Sequence, residues 1–176
     1  MSGIALTILN LEIKMKHLLI IVIILTLISN VTMAEELKKL SLDDAASIGT
    51  TIQTDSEVKR EGQSSVRITT KHPTTVCLGE VNGLDVENAR LLYTAKVKSN
   101  LEGLAFLEMW VHVGDGQYFS RGMNNPIRGK SDWMSIQTPF MFQKGQNPDV
   151  VILNLVINGK GTVWIDDIVL SKAALK

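Results

Sequence analysis

The sequence predicts an all-β fold, an antiparallel β-sandwich or barrel that follows an N-terminal signal peptide. Three observations carry that expectation. From Leu37 onward apolar and polar residues alternate with a period of two, the signature of strands with one buried face. Turn signals punctuate the alternation at Glu61-Gly62, Asn82-Gly83, Gly114-Asp115-Gly116, Gly129, Gly145 and Asn158-Gly159. No long amphipathic helix interrupts it, so helices do not contribute a layer.

The first element is the leader. Lys14, Lys16 and His17 precede an apolar run of 11 residues, Leu18 to Ile28, and Thr32-Met33-Ala34 sets small residues where a signal peptidase reads. A secretory signal over 1–34 is therefore expected, leaving one domain over 35–176 and a secreted or periplasmic protein. The apolar run is short of the ~20 residues of a spanning helix, so no membrane span is expected after cleavage; an uncleaved anchor is the alternative. The remaining 142 residues suffice for one domain that buries about 70% of its unfolded surface. They carry 16 Lys and Arg against 17 Asp and Glu, interspersed, which points to neither nucleic acid nor an anionic membrane as partner. Cys77 is the only cysteine, so no internal disulfide can form. Between Val76 and Leu78 it reads as a small buried apolar residue.

The strands follow in order: Ser64 to Thr70, Thr75 to Val81, Arg90 to Lys98, Leu104 to Val113, Gln117 to Ser120, Trp133 to Phe142, Val150 to Asn158 and Thr162 to Leu170. Asp43 to Glu57 is undecided, with Asp43-Asp44-Ala45-Ala46 able to open a short helix. Asn124 to Trp133 reads as a long polar connection.

Alternation assigns faces. Leu91, Tyr93, Ala95 and Val97 form a core set, as do Ala105, Leu107, Met109, Val111 and Val113, and Val151, Leu153, Leu155 and Ile157. The opposite faces mix aromatic, amide and charged groups. That mixture suits sugar recognition, in which an aromatic ring packs on the C–H side of a pyranose while polar groups hydrogen-bond its hydroxyls. Trp110 with Glu108, His112 and Asn154 would form such a site, bordered by Tyr118 and Arg121 from the following hairpin return. The competing reading covers Phe106 and Trp110 with a loop, leaves Glu108 solvated, plugs the sandwich end with Phe119 and pairs Arg121 with Asp115.

Three stretches, "GTVWIDDIVL" (161–170), "REGQSSVRIT" (60–69) and "SDWMSIQTPFMF" (131–142), resemble the galactose-binding-like jelly roll of bacterial carbohydrate-binding modules. The resemblance spans Leu37 to Leu170. It implies a jelly-roll sandwich that binds a glycan without catalysis, or an accessory domain that docks a protein at the cell envelope. It also implies a structural Ca²⁺ held by Asp43, Glu61 and Asp166, as carboxylates and turn carbonyls suit a hard cation. The alternative for Asp166-Asp167 is a β-bulge, one carboxylate bonded to backbone amides and the other in water.

Catalysis is not expected. Glu108 and Asp115 could be offered as a glycosidase pair, but no cleft is signalled between them. His72 and His112 lack the spacing of a zinc site, and no nucleophile elbow, P-loop or dinucleotide fingerprint is present.

Overall fold

The structure, a computed structural model, describes residues 15–17, 34–40 and 52–175. The chain divides into two units, Met1–Met33 and Ala34–Lys176. In the first, Met15, Lys16 and His17 are helical; the rest of the leader assignment, and the short helix considered at Asp43, lie outside the described residues.

The described part of the second unit is built from strands: β1 (Glu35–Leu40), β2 (Ile52–Asp55), β3 (Ser65–Thr70), β4 (Thr74–Asn82), β5 (Ala89–Val113), β6 (Gly116–Arg121), β7 (Ile127–Phe142) and β8 (Val150–Ala174). All pairings are antiparallel. The fold class is as expected, but two pairs of expected strands are fused. Arg90–Lys98 and Leu104–Val113 are halves of β5, and Val150–Asn158 and Thr162–Leu170 are halves of β8.

β5 and β8 pair from Ala89↔Ala174 to His112↔Val150. Hydrogen bonding is continuous through the sheet, yet the sheet folds over into two layers. On one side of the fold, β8 is flanked by β4 and β5 by β6; on the other, β8 is flanked by β3 and β1, and β5 by β7. The layers face each other through one hydrophobic core, in which Leu91, Tyr93 and Ile165 of the second layer meet Leu107, Met109 and Leu153 of the first. The Tyr93 hydroxyl crosses between layers to donate to the Asn154 carbonyl at 3.5 Å. At the side, the Ser120 hydroxyl of β6 meets that of Thr138 on β7 at 2.7 Å.

The fold-over is lined by glycines: Gly161, with φ of 128°, would set a Cβ 2.2 Å from the Asn100 carbonyl oxygen, and two more face each other. Gly103 and Gly159 are opposite each other in the β5–β8 register, with φ of 134° and 151°. A Cβ on Gly103 would lie 2.2 Å from the Asn158 carbonyl oxygen, and one on Gly159 would lie 2.2 Å from that of Glu102. The two backbones approach so closely that only a hydrogen fits between them. Asn158-Gly159, expected as a turn, is therefore a crease within a strand.

Alternation explains the burial elsewhere and corrects two readings. Val76 and Leu78 point into the core, so Cys77 between them points out and is exposed. The polar run expected as a connection before Trp133 is strand from Ile127 onward, because it completes the ladder opposite Ser99 to Ala105. β1 and β2, unassigned from sequence, add to the edges beside β8 and β3.

Asp55 ties β2 down. Its carboxylate accepts from the Val58 amide at 2.9 Å, the Glu57 amide at 3.0 Å and the Trp164 indole at 2.9 Å. The Val58 amide foremost, then the Trp164 indole, the Glu57 amide and the Arg67 charge, hold this carboxyl below the usual aspartate range against the opposing cost of burial.

Two predictions follow from these contacts. Gly103→Ala is expected to lose about 3 kcal/mol or more in urea melts, whereas Gly83→Ala, with φ of 69° and no atom near a built Cβ, loses about 1 kcal/mol. Equal losses would sink the crease argument. For Asp55, whose folded pKa is lowered, the stabilisation is complete above the unfolded value of about 4 and is lost as pH falls through the lower folded value. Asp55→Asn should therefore flatten the acid limb of stability below about pH 4, measured by chemical denaturation across that range.

Candidate functional site

The first layer carries on its outer face a set of cross-strand rows set by register. One row runs Thr75 (β4), Val156 (β8), Phe106 (β5). The next runs Cys77, Asn154, Glu108 and, on β6, Arg121. Above it stand Glu80, Ile152, Trp110 and Phe119, then Asn82, Val150, His112 and Gln117. Side chains in a row and in adjacent rows lie within reach of one another on a pleated face.

A groove of about 660 Å³ opens over the lower rows. Phe106, Val156 and Trp110 give it apolar surface, Thr74, Thr75 and Asn158 give it hydroxyl and amide groups, and Glu108, Arg121 and Asn154 form its polar floor.

Glu108 organises that floor. It is only 4% exposed. Burying a carboxylate costs several kcal/mol unless its oxygens are hydrogen-bonded, and here three donors converge on it. The Trp110 indole N–H donates to Oε1 at 2.8 Å, the Asn154 amide to Oε1 at 3.4 Å, and Arg121 Nε to Oε2 at 2.6 Å. The Arg121 side chain itself remains 47% exposed. Its guanidinium lies 4.6 Å from the Phe119 ring centre, and Phe119 in turn packs at 5.2 Å and 47° on Trp110. Trp110 is thus fixed through its N–H and through one face while staying half-buried.

Four of the six residues expected at a ligand site, Glu108, Trp110, Arg121 and Asn154, come together here. His112 shares the face but not the groove; its ring Nε2 meets the Gln117 amide nitrogen at 3.1 Å. Tyr118 does not belong. Adjacent to Phe119 on a strand, it points the other way and packs 6.4 Å from Phe140 on β7. The competing reading holds for Phe106, which is 7% exposed, and fails on three points: Glu108 is buried, Arg121 pairs with Glu108 instead of Asp115, and Phe119 is 52% exposed. Thr74, Thr75, Val156 and Asn158 were missed. The outward alternation of β4 and β8 was the available signal for them.

Of the three residues expected around Ca²⁺, the two described, Glu61 and Asp166, turn to other partners. Asp43 lies outside the described residues. Asp166 accepts from the Arg60 and Glu61 amides on Oδ2 at 2.8 and 2.9 Å and from the Asp167 amide on Oδ1 at 2.7 Å. The Glu61 carboxylate turns to Lys39, whose ammonium sits 2.7 Å from it and 2.7 Å from Asp167. Asp167 foremost and Glu61 next raise Lys39 above the usual lysine range. Amide donors and an ammonium surround these carboxylates, an arrangement that suits a lysine and, among the described residues, does not present the 6 to 8 oxygens that Ca²⁺ takes. No three His, Cys, Asp or Glu are grouped to hold a metal among the described residues. Asp167, with φ of 49°, marks a bulge where the β5–β8 register shifts between Thr94 and Lys96, so the bulge alternative describes the pair, with Lys39 in place of water.

No family model and no curated protein matches this chain. Solved structures do. The xylan-binding domain CBM22-1 of Paenibacillus barcinonensis Xyn10C is 15% identical, with a TM-score of 0.54, over 82% of this chain and 99% of that one. A family 16 carbohydrate-binding module is 13% identical, with a TM-score of 0.51, over 69% and 86%. The enzymatically active domain of a tailspike protein from bacteriophage CBA120 is 9% identical, with a TM-score of 0.52, over 69% of this chain and 18% of that one. The chain has the β-sandwich fold of carbohydrate-binding modules, as the sequence motifs implied.

If Asp166 acts by accepting amides, Asp166→Ala should cost about 1–3 kcal/mol by leaving partly buried N–H groups without their acceptor, and the loss should be the same with added calcium or with chelator. A melting temperature of the unmodified protein that falls in chelator would overturn this assignment.

Proposed function

We propose that this chain is a secreted or periplasmic, non-catalytic glycan-binding module, and that the groove over β4, β8, β5 and β6 is its saccharide site. The observation that carries the reading is Trp110. It is a half-buried aromatic, immobilised by Glu108 and Phe119, at the edge of a groove floored by amide, carboxylate and guanidinium groups. A ring held in place before the ligand arrives loses little entropy on stacking. Phe106 and Val156 extend the apolar strip, and Thr74, Thr75 and Asn158 provide hydroxyl and amide partners for sugar hydroxyls. The fold shared with a xylan-binding domain supports the same reading.

The absence of catalysis is proposed from the chemistry of the floor. Glycoside hydrolysis uses two carboxyl groups facing across the substrate. Among the described residues lining the groove Glu108 is the one carboxylate, and both its oxygens are engaged by donors. A protein partner at the cell envelope is the second reading, favoured by the exposed Tyr118, Phe119 and Met123 at and just beyond β6.

The test pairs two substitutions. Trp110→Ala should lower affinity at least about tenfold in a glycan-array or calorimetric assay and cost less than about 2 kcal/mol of stability. Leu107→Ala, three residues before Trp110 on β5 but 1% exposed, should cost about 2–5 kcal/mol and leave any folded fraction able to bind. Binding unaffected by Trp110→Ala would remove the groove from consideration, and a Tyr118→Ala loss of protein capture in its place would favour the second reading.

A further inference from the structure

The groove has a neighbour on the side of the crease. The turn Lys71-His72-Pro73 between β3 and β4 separates it from a second cavity of about 420 Å³, lined by Thr70, Lys71, Asn100, Glu102 and Lys160 at the crease. Pro73 borders the first cavity and Lys71 the second. Two features of this path concern charge.

In the groove, the negative charge is hidden and the positive one is presented. Glu108 is 4% exposed with both oxygens occupied, whereas Arg121 meets it through Nε, stacks on Phe119 and lines the groove with its side chain 47% exposed. Glu108 cancels much of the Arg121 charge at a distance, so close contact must decide. The free edge of a guanidinium offers paired N–H donors that match the paired oxygens of a carboxylate or sulfate. In the second cavity Lys160 is paired with Glu102 at 3.0 Å, while Lys71 is exposed and has no ion-pair partner among the described residues.

We infer that the site prefers an anionic saccharide chain, bearing carboxylate or sulfate groups, with Arg121 and Lys71 as the residues that select it. This rests on the groove being the saccharide site, and it adds the substrate class. A neutral glycan could use the aromatic strip and accept hydrogen bonds from Arg121 through its hydroxyls, but it would bring no charge to pair with the guanidinium or the Lys71 ammonium.

The experiment is calorimetric titration of the purified protein with three probes of matched length: xylohexaose, an oligogalacturonate and a carrageenan oligosaccharide. At about 0.01 M salt, where charges act over ~30 Å, at least one acidic probe should bind about tenfold more tightly than xylohexaose, and the advantage should shrink at about 1 M, where that reach is ~3 Å. Preference for the galacturonate identifies a uronate ligand, and preference for the carrageenan a sulfated one. Arg121→Gln and Lys71→Gln should each lower the ratio of acidic to neutral affinity, and Arg121→Lys should retain part of it. Lys71 lies in an exposed turn, so its substitution keeps the test sound if Arg121→Gln fails to fold. Equal affinity for all three probes overturns the inference and leaves the groove reading standing. Failure of every saccharide to bind removes both, and an acidic preference that survives both substitutions overturns the roles given to these residues.

Discussion

The close approach of two backbones at Gly103 and Gly159 is the constraint on which the rest of the molecule depends. β5 and β8 form one continuous antiparallel ladder, and a straight ladder of that length would present one face to solvent along its whole extent. Folding it at a point where neither chain carries a Cβ turns one face in on itself. Leu91, Tyr93 and Ile165 then bury against Leu107, Met109 and Leu153. The same fold sends the other face of the first layer outward as a set of registered rows. The core and the groove are thus two sides of one ladder, and a side chain at the crease would disturb both.

Much of this was legible in the sequence, because period-two alternation reports which side of a strand a residue occupies. It identified the core sets of β5 and β8 and the outward position of Glu108, Trp110 and Asn154. It could not show that glycines at the crease continue strands instead of ending them, since positive φ serves a turn and a close approach equally well. Nor did composition reveal β1 and β2, which are short and mostly exposed and owe their form to pairing with β8 and β3. Tyr118 was misplaced because the alternation was not carried through Gln117 to Ser120, although that stretch was expected as a strand. Once β6 is a strand, Tyr118 and Phe119 must face opposite ways. Cys77 was misread inside a strand that was expected, because apolar residues on both sides of a strand position argue for exposure of the one between them.

The floor of the groove shows how a carboxylate can be retained where an apolar residue would be cheaper. Glu108 buries its charge beneath an indole, an amide and a guanidinium, and in return it fixes the orientation of all three. Its role is positional: Trp110 and Arg121 come from different strands, and Glu108 is the group both touch. A similar economy appears on the second layer, where Asp166 gathers the amides of Arg60, Glu61 and its neighbour and thereby holds the segment before β3 against β8.

The β5–β8 ladder also bears on how the chain finds its fold. His112 and Val150 close the shortest loop in that ladder, and Ala89 and Ala174 the longest. Loop-closure entropy grows with the length enclosed, so pairing that begins at the His112 end and zips toward the termini meets the smaller cost first. The layer that carries the groove lies at that end. On this ordering its rows are in register before the zipper reaches Gly103, and β1 and β3, which pair with the far half of β8, are laid down afterwards.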